Sequence, residues 1–537
     1  MRDNQISCHT LTKNGLLFLM LFALVSCAHP NISSLSTEYR VLPYVQNPTA
    51  MGVTLKWFSH NKGKASVHVY DEQKALVSRW QSSAKLASEL VYSEFELLSN
   101  SERENSVPYN HEVRINGLEV GRRYVYEVNQ NGELARGEFK TAVSNTTPIR
   151  LIVYADSETE PESTGKHTNW PSPTTPDEKR PYLIDQTTGY RENLKAIAER
   201  EPDFIAIAGD LVESGGEQRD WDEFWRQNQS LAANVPIMPA LGNHEYYAGP
   251  EEFGAWEVAA SERSIAKFKS YFDLPENDAR NTQHNERYYS FEYGPLTLIT
   301  LDLGNGEKNK TPEDTNWSLL ADGEGGVTPS WSPGSEQYKW LEIELKAARQ
   351  KSQFTFVMFH HCPYTSGVHG LKPGVDGGTS NNTSGSPLRA LTPLFMEYGV
   401  DVLLNGHDEM AEHSVVSGKT VSLKSNDVVA HDLHVFDVGI GGDGLRGPHP
   451  SVENAHQVFI AHDDSPEVYS ESGVLVDGGK HYGHLEINIF KDSLQEWTAE
   501  LDIAYIFPVM NSEGIVTSFE RRLYPDKTKI VSKRKIP

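Results

Sequence analysis

Positive charge, cysteine and long apolar runs are all scarce in this sequence. Its 49 Lys and Arg stand against 74 Asp and Glu, a formal net charge of -25 at pH 7. That balance argues against a general basic face for nucleic acid. Any anionic substrate then needs positive charge concentrated locally, and a metal ion would supply it. Only three cysteines occur in 537 residues. Cys8 and Cys27 lie near the N-terminus, which leaves Cys362 alone and no internal disulfide framework. The apolar run GLLFLMLFALVS at 15–26 is too short to span a bilayer as a permanent helix. There is no internal repeat, no low-complexity tract and no evident Ser or Cys nucleophile motif. The remaining composition, 23% charged and 38% hydrophobic residues, is that of an ordinary globular protein long enough for more than one domain.

The apolar run follows Arg2 and Lys13 and precedes small residues, which is the pattern of a secretory signal. It ends in Leu24-Val25-Ser26-Cys27, which resembles a bacterial lipobox. Residues 1–27 are therefore expected to be a lipoprotein signal peptide, with Cys27 lipidated. The protein would then be exported and membrane-anchored, in the periplasm or at the outer membrane or cell surface. A plain signal peptide with an incidental Cys27 is the other reading. Residues 28–38 form a polar tether.

From 38 to 142 short runs alternate with period two: VTLKWFS, ASVHVY, YNHEVRING, RYVYEVNQ and GEFKTAV. Aromatic and β-branched residues broken by Asn-Gly pairs predict a small antiparallel β-sandwich. Asn116-Gly117 and Asn131-Gly132 are hairpin-turn signals. After a linker at 143–148 the texture changes. Nearly continuous apolar runs at 150–156, 203–210, 236–243, 296–302, 354–360 and 400–406 suit strands buried on both faces. Helical stretches at 191–200 and 335–350 separate several of them. Long polar insertions at 157–190, 304–334 and 366–388 are of the length that functional loops have. This α/β domain is taken as 149–500. Strand-like patterning returns from Lys480 onward, and 501–537 is set apart as a C-terminal extension.

Polar residues of metal-ligand type end the apolar runs: Asp156, Asp210, Asn243-His244-Glu245, His360-His361 and His407. One such residue is usually a cap or a turn. Five such sites, each at a strand end, converge on the sheet edge where α/β folds bind their substrates.

The series A-D-S-E, A-G-D-L-V-E, L-G-N-H-E, H-H-C-P-Y and N-G-H-D-E resembles the calcineurin-like metallophosphoesterases. The P-Y-V-Q-N-P-T opening at 43–49 and the β-sandwich resemble the N-terminal, fibronectin type III-like domain of purple acid phosphatases. The resemblance implies an α/β/β/α two-sheet sandwich preceded by an all-β sandwich. It also implies a binuclear site of divalent or trivalent ions, about 3.5–4 Å apart, that clamps an in-line phosphoryl transfer. By position Asp210 matches the bridging carboxylate. Asn243, His361 and His407 match the other ligands of one ion, and Asp156 matches the second ion. His361 is preferred over His360 because Pro363 follows it in the family's H-x-P pattern. His244 matches the family histidine that meets the substrate phosphate or leaving group. Glu245 is expected to orient it.

The departures from the family gather around one ion. Glu213 stands where purple acid phosphatases carry their coloured tyrosinate. Glu158 and Glu409 stand where histidines are common. Oxygen donors favour Mg, Ca, Mn or Fe(III), whereas imidazole suits Zn and Fe. The expectation is one His/Asn-rich ion and one carboxylate-rich ion, and a protein that is not purple. The other reading makes these Glu residues solvated loop charges around a vacant position. His369 and His413 are weaker candidates for substrate contact, as is Arg446 for phosphate.

The resemblance thus implies acid-phosphatase-like hydrolysis of phosphate monoesters, with Fe, Mn, Zn, Mg or Ca as the ions. A phosphodiesterase or nucleotidase using the same centre is one alternative. A non-catalytic surface binding protein that has lost an ion is another. The expected partner is a small phosphate ester, and the β-sandwich would either position the catalytic domain or mediate a homodimer.

Overall fold

The structure is a computed structural model, describing residues 36–99, 106–171, 179–249, 258–319, 328–374, 382–421, 427–534 and 536. The signal peptide and Cys27 lie outside the described residues, as do 172–178, 320–327 and 375–381 within the three polar insertions. Among the described residues no helix is long and apolar enough to cross a membrane.

The period-two runs form two four-stranded antiparallel sheets. Tyr39–Thr49, Gly52–Ser59, Tyr109–Ile115 and Lys85–Leu86 make one, and Leu76–Ser83, Lys64–Tyr70, Arg123–Gln130 and Glu133–Lys140 make the other. Alternate side chains such as Leu55, Trp57, Val67, Tyr126 and Val128 fill the space between them. Asn131 and Gly132 both take left-handed backbone, φ 51° and 101°, and Gln130 pairs directly with Glu133. That is the two-residue hairpin their sequence predicts. Asn116-Gly117 behaves differently: the strands on either side belong to opposite sheets, so this turn carries the chain between layers.

Gly52–Ser59 is buried along its whole length because its second face packs against the α/β part. Phe58 meets Tyr271 with ring centroids 5.1 Å apart, and Tyr44 Oη donates to Tyr271 O at 2.6 Å. Arg40 grips both carboxylate oxygens of Asp222 at 3.1 Å. The geometry is bidentate and largely buried, unlike a loose surface pair.

The α/β part holds a six-stranded and a seven-stranded mixed sheet. The first runs Ile237–Pro239, Phe204–Ile207, Ile149–Tyr154, Gly483–Lys491, Trp497–Met510, Val516–Val531. Position 500 falls inside Trp497–Met510, so residues beyond it extend this sheet by two long paired strands. The second sheet centres on the parallel strands Leu296–Thr300, Phe354–His361 and Val402–Gly406. Crossover helices join the parallel strands, as that geometry requires. Gln186–Glu199 starts at Asp185, whose carboxylate accepts from Thr188 N. Glu336–Lys351 starts at Ser335, whose hydroxyl accepts from Tyr338 N, and carries Glu336 in its first turn and Arg349 and Lys351 in its last. Both ends of that helix suit the helix dipole. Leu341, Leu345 and Ala348 of its buried face pack on the outer side of the second sheet.

Phe354–His361 shows how burial sorts its side chains. Phe354, Phe356 and Met358 point into the core between the sheets, whereas Val357 and Phe359 join the outer cluster beneath Glu336–Lys351. A strand buried on both faces reads as a continuous apolar run, and this one does.

Candidate metal centre

The strands Ile149–Tyr154, Phe204–Ile207 and Ile237–Pro239 deliver Asp156, Asp210 and Asn243 from one sheet. Phe354–His361 and Val402–Gly406 deliver His360 and His407 from the other. The backbone is strained where they meet. Asp156, Glu158, Asp210, His407 and Glu409 all have positive φ, from 35° to 84°. Non-glycine residues hold that conformation only when their surroundings impose it, commonly at functional sites. Glycines make room for the carboxylates: a Cβ on Gly242 would lie 2.0 Å from Asp210 Oδ1, and one on Gly406 would lie 2.3 Å from Asp156 Oδ2.

His360 is the hub of the first group. Its Nδ1 lies 2.9 Å from Ala208 O, so this nitrogen carries the proton. Its Nε2 faces three acceptor atoms: Asp210 Oδ2 at 2.8 Å, Asn243 Oδ1 at 3.1 Å and His407 Nδ1 at 3.1 Å. One N–H can serve only one of these. A cation among the four atoms would satisfy all of them, and the buried two-nitrogen, two-oxygen donor set fits a divalent metal. Without a cation the proton does the work. Burial lowers the His360 pKa, but Asp210 outweighs it and raises the value to about 9. Burial likewise raises Asp210, yet His360 and His244 hold its carboxylate below the ordinary range.

Sequence spacing assigns this ligand place to His361, whereas the ring that lies against Asp210 and Asn243 in the structure is that of His360. Strand alternation is the reason: His360 continues the inward face of Phe356 and Met358, toward Asp210. The His361 ring lies tilted against His407, centroids 4.3 Å apart, and neither of its nitrogens has a hydrogen-bond partner among the described residues.

Glu245 also differs from expectation. Its carboxylate accepts from the backbone N–H of Asp210, Leu211 and Gly242, at 3.0, 2.8 and 2.7 Å. It therefore braces the two ligand loops and does not touch the His244 ring. Burial, then Asp210, raise its pKa to about 7. His244 Nδ1 is held instead by Glu213 O at 2.6 Å, which leaves Nε2 facing the cleft 3.9 Å from Glu158. Burial works against the charged ring, but Asp210 and Glu213 raise its pKa overall.

The carboxylate-rich side contains Glu158, Glu409 and Asp443, whose oxygens lie within 4.8 Å of one another. Glu158, Asp210 and His244 form an adjoining group. Glu213 joins neither and contributes its backbone carbonyl. Asp443 was not singled out from the sequence. It sits in a Gly-rich turn, GGDGLRGP, five residues beyond the end of the strand Val428–Val438. Glu409 Oε2 and Asp443 Oδ1 are buried without a hydrogen-bond partner. Burial and the neighbouring acids push Glu158 and Glu409 far above the usual carboxylate range, which is the state a cation would relieve. Asp156 receives the His407 N–H at 2.9 Å, and burial raises its pKa to about 7.

Of the weaker candidates, His369 lies at the centre, its ring 3.8 Å from that of His407. Arg446 pairs with Glu409 there. His413 pairs instead with Asp526 at 3.0 Å and His434 at 3.0 Å.

Residues 184–408 match the calcineurin-like phosphoesterase family. The chain is 25% identical over 301 residues to purple acid phosphatase 21 of Arabidopsis thaliana, covering 55% of this chain and 51% of that protein. It spans about half the length of the curated relatives it matches first. In fold it is similar to a purple acid phosphatase from yellow lupin (Lupinus luteus) seeds, at TM-score 0.58 and 17% identity, covering 91% of this chain and 74% of that one. It is also similar to PhoD, at TM-score 0.59 and 14% identity, covering 95% and 94%. Residues 184–408 thus carry the calcineurin-like phosphoesterase pattern, and the chain is similar in sequence to purple acid phosphatases and in fold to a purple acid phosphatase and PhoD.

Proposed function

We propose that the protein hydrolyses phosphate monoesters at a two-position metal centre, in the manner of an acid phosphatase. The observation that carries this reading is the convergence of Asp210 Oδ2, Asn243 Oδ1 and His407 Nδ1 on His360 Nε2. Those four residues would hold one cation. Asp156, Asp210, Glu158, Glu409 and Asp443 would serve the carboxylate-rich position. The first set suits Zn, Fe or Mn, and the second suits a harder ion such as Mg, Ca, Mn or Fe(III). Cations bound there would polarise the phosphoryl group, neutralise its oxygens and acidify the attacking water.

The protein's own groups complete the reaction. The Glu213 carbonyl fixes the His244 ring by its Nδ1–H, so Nε2 projects into the cleft. Against burial, the ring's pKa is raised by Asp210 and Glu213, which favours a proton on the ring, and Nε2 would donate that proton to the departing alkoxide oxygen. Glu245 keeps the Asp210 and Gly242 loops in register through its three backbone contacts. Cys362 is buried with its thiol pKa pushed well up by desolvation, which suits packing rather than nucleophilic attack.

The test is elemental analysis of the purified protein together with rates on chromogenic nitrophenyl monoesters and bis-nitrophenyl diesters. Bound metal with faster monoester turnover supports the proposal. A metal-containing protein that prefers diesters would replace it with the phosphodiesterase reading. A protein that stays metal-free and inert with Mn, Zn, Ca, Mg and Fe supplied would refute the catalytic reading.

A further inference from the structure

The carboxylate-rich position already holds a cation of its own. The backbone N–H of Arg446 donates to Glu409 O at 2.9 Å, and its guanidinium pairs with Glu409 Oε1. The same guanidinium reaches His369 Nε2 at 3.2 Å through Nη1. The Arg446 side chain is 48% exposed and that of Glu409 only 3%, so the pair runs from solvent into the buried acids. The turn beneath is moulded to this contact. Gly444 has φ +70°, and a Cβ there would lie 1.4 Å from Glu409 Oε2. The turn therefore brings an acid, Asp443, and a base, Arg446, to one place. Lys166 adds a second fixed charge, 3.0 Å from Glu160 and 4.0 Å from Asp443.

We propose that Arg446 is a built-in competitor for the second metal position, holding Glu409 until a cation displaces it. A divalent ion arriving at Glu158, Glu409 and Asp443 meets carboxylates whose charge Arg446 and Lys166 already offset. Its binding must break or weaken a charge-assisted pair whose carboxylate end is buried. The first position has no guanidinium or ammonium group paired into it among the described residues; its partners are imidazole, amide and the shared Asp210, and a metal ion there displaces only a proton. The two positions should therefore fill in sequence, with Arg446 setting the gap between them. This inference rests on the two-position reading above.

Calorimetric titration of metal-stripped protein with Mn(II) tests it by stoichiometry and affinity, without reference to turnover. Arg446→Gln should leave the first equivalent unchanged and tighten the second by on the order of 10-fold to 100-fold. Arg446→Lys keeps the charge but loses the planar fork that spans Glu409 and His369, so it should tighten the second equivalent less. If Arg446→Gln does not fold, the Lys variant carries the test, since it too must tighten the second equivalent. Lys480→Gln is the control for general charge, because Lys480 lies near Glu409 without pairing to it. A second equivalent that is unchanged or weakened in both Arg446 variants would overturn the inference and make Arg446 an orienting group for Glu409. Equal tightening in Lys480→Gln would overturn it in favour of bulk electrostatics. Wild-type protein that binds no first equivalent would instead defeat the two-position reading itself.

Discussion

His360 meets Asp210 across the gap between the two sheets, its Nε2 2.8 Å from Asp210 Oδ2. His361, one residue on, turns its ring to His407 and makes no such contact. The pair therefore gives a clean comparison. His360→Ala should abolish retention of the first metal ion and lower monoester turnover by at least about 100-fold, beyond the usual cost of losing an outer ligand partner. His361→Ala should keep the metal and lose less activity. Elemental analysis of both variants decides it, and metal loss confined to His361→Ala would reverse the assignment.

The two adjacent histidines mark how far the site is legible in the sequence. Apolar runs ending in Asp156, Asp210, Asn243 and His407 were readable because strand ends in such folds share one edge. At 360 and 361 two cues conflicted: spacing to Pro363 favoured His361, while the alternation of Phe356 and Met358 favoured His360. In the fold the inward face, which also fills the core through Phe356 and Met358, carries His360 toward Asp210. Asp443 gave no cue, since its place depends on a turn folding back under Glu409. Glu245 misled for a related reason. A carboxylate beside a histidine suggests a side-chain pair, but here backbone N–H groups from two loops claim it. Asn116-Gly117 likewise signalled a turn correctly without saying that the chain changes sheets there.

Glu245→Gln should act through structure. The amide can still accept hydrogen bonds, but it loses charge assistance to three buried N–H groups and introduces a donor facing them. A loss of about 1–3 kcal/mol of stability is expected, together with weaker metal retention. Thermal melts and metal analysis read both. A variant with unchanged Tm and metal content, slowed only on substrates with poor leaving groups, would instead restore Glu245 as the partner of the His244 ring.

His244→Ala should leave metal binding largely intact and slow the chemical step. Protonation of a departing oxygen contributes about 10²–10⁴-fold, and it matters most for alkoxides of high pKa. The loss should therefore be small for nitrophenyl phosphate and large for an alkyl phosphate. Comparing kcat/KM across leaving groups tests this, and a uniform loss would assign His244 to binding rather than to proton donation.

Gly242→Ala is the smallest change that should disable the first position. The added methyl would lie 2.0 Å from Asp210 Oδ1 and 2.6 Å from its backbone nitrogen, well inside contact distance. Asp210 would have to move, and its carboxylate belongs to two of the candidate cation groups. The variant should fold yet retain little metal. Full metal occupancy with normal turnover would show that the loop has slack which its three Glu245 contacts do not suggest.

The β-sandwich should respond to acid through His111. This ring is buried against Trp57, with centroids 5.0 Å apart, and its Nε2 lies 2.9 Å from Ser59 Oγ. Burial lowers its pKa from 6.5 to about 4. The folded state thus prefers the neutral ring, and the unfolded chain takes up a proton at higher pH. The contribution of this site to stability is whole above pH 6.5. It falls between pH 6.5 and about 4, where the slope approaches about 1.4 kcal/mol per pH unit for one proton. His111→Gln removes that proton uptake. Denaturant melts of both proteins between pH 7.5 and 4.5 should show wild type losing stability faster than the variant over the lower half of the range. Parallel pH profiles would mean that the ring charges in place, and that Ser59 and the neighbouring strands accommodate it.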